Sequence, residues 1–180
     1  MPSALRTNKL RRFFGALDVD QDGVMDELDV TALAQMWCDT YELPPLSAEW
    51  SRIHRQANRM FRDIPGTVDA DGEKKVNIDE WVAWGDHPDF PEFVETAAIP
   101  FSMAVFDAAD KDQDGRITAP EMMAAQIKGG MSEQETNKAF ALLDADGDGF
   151  VTTDEYVLAS REFWLSDDPA ARGNHIAGEL

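Results

Sequence analysis

The residues best suited to chemistry in this chain are acidic side chains that recur at one spacing around a glycine. Three stretches place aspartate at positions one, three and five, glycine at position six and a further carboxylate at position twelve. Carboxylates spaced in this way on a tightly turned backbone can surround Ca²⁺, which takes about six to eight oxygen ligands. Position seven adds its backbone carbonyl, so its side chain is free to vary. The predicted ligands are Asp18, Asp20, Asp22, Val24 and Asp29, then Asp110, Asp112, Asp114, Arg116 and Glu121, and finally Asp144, Asp146, Asp148, Phe150 and Glu155.

These stretches share two further features. They are numbered loop one (18–29), loop three (110–121) and loop four (144–155). The glycine at position six permits a bend with φ > 0, because it has no Cβ. Position eight is apolar in each loop (Met25, Ile117 or Val151) and is predicted to form a short β bridge with a partner loop. An Asp/Gly-rich stretch can also be a polar turn, but three complete copies favour calcium loops of the EF-hand type.

Apolar residues at helical spacing flank each loop. Leu10, Phe13, Phe14 and Leu17 form an i, i+3, i+4, i+7 stripe before loop one. Comparable stripes follow loop one and flank the other two loops, so each unit is predicted to be helix–loop–helix. Loops three and four start 34 residues apart, a separation that suits two adjacent units packed as a pair.

Loop one then needs a partner, and the candidate is the segment 68–80, which we number loop two. Val76 fits position eight of this segment and Glu80 fits position twelve. In that frame Lys74 stands at position six in place of glycine, and Lys75 follows it. Acids still fill positions one, three and five, and these are Asp69, Asp71 and Glu73.

A second frame for loop two takes Gly72 as the bend. This frame inserts two residues and places Thr67 at position one. Both frames damage the loop geometry, and in both the two lysines oppose a bound cation. Loop two is therefore predicted to hold no calcium and to remain as the structural partner of loop one.

The units together predict an all-α fold class, with four EF-hand helix–loop–helix units in two pairs packed into one compact globule. The N-terminal pair is expected in residues 1–90, with hand one competent and hand two degenerate. The C-terminal pair is expected in residues 91–165, with both hands competent. Residues 166–180 form a tail that is either mobile or places Ile176 and Leu180 in the core.

The charge balance limits the classes of partner. Acids outnumber bases by 35 to 16, which gives a formal charge of −19 and argues against nucleic acid and membranes as partners. An apolar content of 43% argues against a disordered acidic chain. Two basic runs at helical spacing are interpreted as solvated faces, with docking of an acidic protein partner as the alternative. They are Arg6, Lys9, Arg11 and Arg12, and Arg52, Arg55, Arg59 and Arg62.

Other sequence features indicate a soluble, cytoplasmic, monomeric protein that is not an enzyme. The lone cysteine, Cys38, excludes an internal disulfide and fits a reducing compartment. The N-terminal segment lacks the apolar core of a signal peptide, and Pro2 stands where myristoylation requires glycine. The sequence contains no nucleophile–base arrangement, phosphate loop or catalytic zinc spacing.

The chain resembles calerythrin and the sarcoplasmic calcium-binding proteins over nearly its whole length. The resemblance rests on the opening segment LRRFFGALDVDQDG (10–23), on Asp29, on the degenerate second hand and on the segment 106–163, which includes GMSEQE before loop four. It implies a compact fold with a shared core, three bound Ca²⁺ ions and a role as a calcium buffer.

Two other functions stay open, as does competition between cations at loop one. A sensor that regulates a target protein would expose a methionine-rich groove on binding calcium, but five tryptophans favour a fixed core. A photoprotein-like protein with a ligand in its core is less favoured, because the three histidines are scattered. At loop one, the short Asp29 favours a smaller shell in which Mg²⁺ competes with Ca²⁺, whereas Asp26 at position nine adds a fifth acid.

Overall fold

Helices flank every loop, and short strands lie within the loops. The computed structural model describes residues 3–64, 74–128 and 131–176. The α-helices in these residues are α1 (Ala4–Leu17), α2 (Glu27–Thr40), α3 (Ala48–Arg62), α4 (Ile78–Trp84), α5 (Phe90–Phe93), α6 (Ile99–Ala109), α7 (Ala119–Lys128), α8 (Glu133–Leu143) and α9 (Thr153–Leu165). A π-helical turn, Val94–Ala98, joins α5 to α6, and a 3₁₀ turn, Arg172–His175, follows α9. The predicted all-α class with four helix–loop–helix units is confirmed.

Two antiparallel strand pairs join the loops in twos. The strands are β1 (Val24–Met25), β2 (Val76–Asn77), β3 (Arg116–Thr118) and β4 (Phe150–Thr152). In the first pair Met25 lies opposite Val76, and in the second Ile117 lies opposite Val151. All four of these position-eight side chains are buried. The predicted β bridge between partner loops is therefore present in both pairs, and β2 of loop two pairs with β1 of loop one.

An aromatic cluster joins the N-terminal and C-terminal helices in one core. Phe13 of α1 contacts Trp164 of α9 edge-on, with ring centroids 4.5 Å apart. Trp81 of α4 lies 6.2 Å from Trp164 and donates its indole N–H to the Leu10 carbonyl at 3.0 Å. Trp81 is fully buried. Because large aromatic rings contribute strongly to core stability, these contacts hold the two halves together as one globule, as the sequence predicts.

The described part of the tail packs against this core rather than lying free. The Gly173 N–H donates to Glu162 Oε2 at 3.0 Å. A Cβ at position 173 would lie 2.0 Å from the Ala159 carbonyl oxygen, so this close approach requires glycine. Ile176 is partly buried against the core, and Leu180 lies outside the described residues.

The interpretation of Lys9 as part of a solvated basic face is wrong. Lys9 is 1% exposed, and its Nζ donates to the carbonyls of Glu162 and Ser166 and to Asn174 Oδ1, at 3.1, 2.7 and 3.2 Å. The first two acceptors lie at the C-terminal end of α9, where cations are favoured. Burial nevertheless lowers the pKa of Lys9 to about 8. This lysine therefore ties α1 to α9 and to the tail.

None of the helices in the described part of the chain combines the length and the apolar character needed to span a bilayer.

Candidate metal centres

Position one of each of the three acidic loops is fixed by the end of the preceding helix. The Asp18 backbone N–H donates to the Phe14 carbonyl, which places its side chain at the mouth of loop one. Its Oδ2 then accepts the Gly23 N–H at 3.0 Å. The equivalent bonds join Gly115 to Asp110 at 2.8 Å and Gly149 to Asp144 at 3.0 Å. The glycine at position six therefore closes each loop onto the carboxylate at position one.

The position-six glycines all have a left-handed backbone. Their φ values are +90° at Gly23, +83° at Gly115 and +90° at Gly149. Side-chain-bearing residues rarely adopt such angles, because Cβ meets the neighbouring carbonyl. The predicted reason for glycine at this position is confirmed.

Position five fixes the strand that carries position seven. Asp22 Oδ1 accepts the Val24 N–H at 3.0 Å. Asp114 and Asp148 accept from Arg116 and Phe150 in the same way, at 2.9 and 3.0 Å. Position seven therefore has its N–H bonded within the loop in all three cases.

The position-twelve carboxylate spans its loop from position two to position nine. Asp29 Oδ1 accepts the Val19 N–H at 2.9 Å, and its Oδ2 accepts the Asp26 N–H at 2.9 Å. Glu121 accepts from Lys111 and Thr118, and Glu155 accepts from Ala145 and Thr152, through backbone N–H groups at 2.8–3.1 Å. The loop backbone therefore orients each of these carboxylates before any cation arrives.

These hydrogen bonds affect the pKa values of the two glutamates. Burial disfavours the charged form of Glu121, but the N–H and hydroxyl of Thr118 and the Lys111 N–H outweigh it and lower its pKa. At Glu155 burial is likewise outweighed by Thr152 and the loop amides, and its pKa is lowered. Asp112 shows the opposite effect, because burial and the neighbouring Asp114 charge raise its pKa. A cation bound in loop three would offset the repulsion between the Asp112 and Asp114 carboxylates.

The acids predicted from the sequence converge in groups of three. Ligand atoms within each group lie within 4.8 Å of one another. The groups are Asp18, Asp20 and Asp22, then Asp110, Asp112 and Glu121, and then Asp144, Asp146 and Glu155. All of these ligand atoms are carboxylate oxygens, which suit Ca²⁺ or Mg²⁺ rather than a soft metal.

One buried atom supports a cation at loop one directly. Asp18 Oδ1 is buried, and it has no hydrogen-bond partner among the residues described. A buried carboxylate oxygen without a partner is costly, and a cation at the centre of the loop would satisfy it. The residues of loop one therefore fit a hard cation.

Loop two keeps the second half of the same framework. Lys74 has φ +59°, a left-handed backbone at the position where the other loops carry glycine. Glu80 Oε2 accepts the Asn77 N–H at 2.9 Å, as position twelve does elsewhere. Both frames place Asn77 at position nine and Glu80 at position twelve, so this bond is common to the two frames. Residues 65–73, which include both candidates for position one and the predicted acids, lie outside the described residues.

A contact that sequence reasoning missed joins loop two to loop one. Lys75 Nζ lies 3.2 Å from Asp26 Oδ2, so a lysine of one loop pairs with the position-nine acid of the other. Extending the bridge by one residue from Met25 and Val76 would have indicated this pair. Lys75, taken alone in the sequence, does not indicate an ion pair with loop one.

Comparison with known proteins agrees with this geometry. The family model for an EF-hand domain pair matches residues 102–161. Calerythrin of Saccharopolyspora erythraea is 22% identical over 91% of this chain and 94% of calerythrin. A solved calcium-binding protein of Streptomyces coelicolor, described as acting in prokaryotic calcium-mediated regulation, has a TM-score of 0.76 at 26% identity and covers 91% of this chain and 99% of that one.

The fold also occurs in a photoprotein. The calcium-regulated photoprotein mitrocomin of Mitrocoma cellularia has a TM-score of 0.79 and covers 99% of this chain and 92% of that one. At 20% identity this is a likeness of fold alone. The EF-hand match over residues 102–161 and the acidic loops together support calcium binding of the EF-hand kind. The chain is similar to calerythrin, and the resemblance predicted from the sequence is confirmed.

Proposed function

We propose that this protein is an intracellular calcium buffer that binds three Ca²⁺ ions through loops one, three and four. The observation that carries the proposal is the repeated loop geometry, in which three carboxylates converge and the position-twelve acid is already held by backbone N–H groups. Loop two serves as the structural partner of loop one. Its two lysines disfavour a divalent cation there.

The proposed ligands are the fifteen residues assigned from the sequence. Position twelve closes the shell, and glutamate can do so through both oxygens. The side-chain ligands are Asp18, Asp20, Asp22, Asp29, Asp110, Asp112, Asp114, Glu121, Asp144, Asp146, Asp148 and Glu155. The backbone carbonyl ligands are those of Val24, Arg116 and Phe150.

A fixed core supports buffering over sensing. Rings from α1, α4 and α9 contact one another across the two halves. Met122 and Met131 are buried rather than arranged along an open groove. An opening like that of a sensor would have to separate these aromatic contacts, which makes it costly.

A calcium sensor that regulates a target protein is the second candidate. Two observations favour it: the similar Streptomyces coelicolor protein is described as regulatory, and apolar side chains are exposed on two exit helices. Leu28 at the start of α2 is 76% exposed, and Leu158 of α9 is 48% exposed. A photoprotein-like role is supported less, because tryptophan and phenylalanine rings pack against one another in the core.

Three glycine amides can test the number of sites. The N–H groups of Gly23, Gly115 and Gly149 each bond to the position-one carboxylate of a different loop. In ¹H–¹⁵N spectra of the full chain titrated with Ca²⁺, all three resonances should shift, and calorimetry should give three ions per chain. A Gly23 resonance unaffected by Ca²⁺ would remove loop one from the proposal.

Dye fluorescence distinguishes a buffer from a sensor. In a background of Mg²⁺, a dye that binds exposed apolar surface should show no increase in fluorescence when Ca²⁺ is added. An increase would show that calcium opens a groove and would favour the sensor. Sedimentation in the same buffers should show a monomer in both states.

A further inference from the structure

The strand register sets Lys75 against Asp26. Val24 lies opposite Asn77 and Met25 opposite Val76, so the next residues outward on the two chains are Asp26 and Lys75. Their side chains meet at 3.2 Å, between Nζ and Oδ2. Asp26 also accepts the Leu28 N–H at 2.8 Å as the cap of α2. The lysine therefore contacts an acid that belongs to the framework of loop one.

The second strand pair has no such ion pair at the equivalent positions. Thr118 and Thr152 occupy position nine there, and each carries a neutral side chain. Arg116, at position seven of loop three, lies opposite Thr152, and its guanidinium sits 5.2 Å from the centre of the Phe150 ring. Position seven thus reaches the partner loop in both pairs, but it meets a carboxylate only in the first.

The ion pair changes the charge that loop one offers to a cation. Loop one has five acids at positions one, three, five, nine and twelve, whereas loops three and four have four each. Lys75 offsets the additional acid. Calcium affinity in such loops depends on the number of charged ligands. The positive charge of Lys75 beside loop one therefore repels a divalent cation that binds there.

We propose that Lys75 of loop two sets the cation affinity of loop one, and that it weakens divalent-cation binding there by pairing with Asp26 and repelling the ion. The inference rests on the proposed function, because it requires loop one to bind. Loop two then has a second role, since it completes the strand pair and also supplies a charge that tunes its neighbour.

Substitution of Lys75 by methionine tests this role. The change keeps the length of the side chain and removes its charge, and we expect Ca²⁺ to bind loop one about three- to tenfold more tightly at low salt. The Gly23 resonance reports loop one, while Gly115 and Gly149 report the other loops in the same titration. The gain at Gly23 should shrink as salt rises from about 0.01 to 0.5 M, because the interaction is screened.

Lys74→Met is the matched control. It makes the same change in net charge one residue away. The ion pair with Asp26 is formed by Lys75. Lys75→Arg should keep the affinity of the parent protein. Thermal unfolding without calcium identifies any variant that alters the fold.

The outcomes separate the two proposals. If Gly23 does not respond to Ca²⁺ in the parent protein, the assignment of loop one fails and the inference fails with it. If Gly23 responds but Lys75→Met and Lys74→Met bind alike, the role of Lys75 is overturned while the site stands. Weaker binding in Lys75→Met would also overturn the inference, since it would show that the lysine organises the loop instead.

Discussion

The N-terminal and C-terminal loop pairs share the same strand pairing and position-twelve hydrogen bond. They differ in the charged side chains that their loops carry. Both pairs bury apolar residues at position eight, and in both the position-twelve carboxylate accepts the N–H of position nine. The C-terminal pair sets two complete acidic loops side by side. The N-terminal pair sets one acidic loop beside loop two, which carries Lys74 and Lys75 just before β2.

If loop two holds no cation, as we propose, pairing and metal binding are separable properties of the unit. Pairing depends on two apolar residues and a few backbone hydrogen bonds, which loop two retains at Val76 and Asn77. Binding depends on a full set of oxygens around one centre. On this proposal, hand two has lost metal binding but is still needed for the strand pair.

Removal of the position-twelve charge should give the largest contrast between the pairs. Glu121→Gln takes away a negative oxygen that closes loop three, and we expect Ca²⁺ to bind that loop about 100-fold more weakly. Glu80→Gln makes the same change in loop two and should leave three ions bound per chain. Calorimetry measures both variants. A loss of one ion in Glu80→Gln would show that loop two binds after all.

Lengthening the short acid of loop one should shift its preference between cations. Asp29→Glu adds one methylene and lets the carboxylate reach the ion through both oxygens, so the ratio of Ca²⁺ to Mg²⁺ affinity at Gly23 should rise about tenfold. Titration of each variant with each metal gives this ratio. Glu155→Asp in loop four is the reciprocal change, and it should lower the ratio at Gly149. An unchanged ratio in both variants would mean that position twelve does not select the cation.

Position six offers a stability test that does not depend on metal. Gly115→Ala places a Cβ on a backbone with φ +83° and should destabilise the calcium-free protein by about 1–2 kcal/mol. Lys74→Gly relieves the same kind of strain at φ +59° and should stabilise it by about 0.5–1 kcal/mol. Urea unfolding measures both free energies. Equal effects of the same sign would contradict the equivalence of Lys74 and Gly115.

A fall in pH should cause a modest loss of stability in the calcium-free C-terminal pair. The folded pKa values of Glu121 and Glu155 lie below their ordinary 4.5. Since the unfolded chain takes up these protons first, the stability they contribute is complete above pH about 4.5 and is lost as pH falls through the folded pKa values. The double variant Glu121→Gln, Glu155→Gln should therefore show a shallower loss of stability between about pH 5 and 3. An unchanged slope would show that these groups are not held as the structure indicates.

Local spacing was enough to predict the units and their acids. A calcium loop is a continuous stretch of twelve residues, so the alternation of acids, the glycine at position six and the apolar residue at position eight can be read directly from the sequence. The strand pairing followed from the same logic, since two apolar positions eight need each other. The ligand roles of the fifteen residues and the boundaries of the two pairs stay predictions.

Contacts between segments that are distant in sequence could not be predicted from local spacing. Lys9 looked like part of a solvated basic stripe, yet it is buried against the end of α9 and the tail, more than 150 residues away in sequence. Lys75 looked like damage to a calcium loop, yet it pairs with Asp26 of the neighbouring loop. The repeating unit could be predicted from the chain's residues, because ligand spacing and helical periodicity are local. Which charges meet is settled only in the folded molecule, because that depends on how the strands and helices of different units pack together.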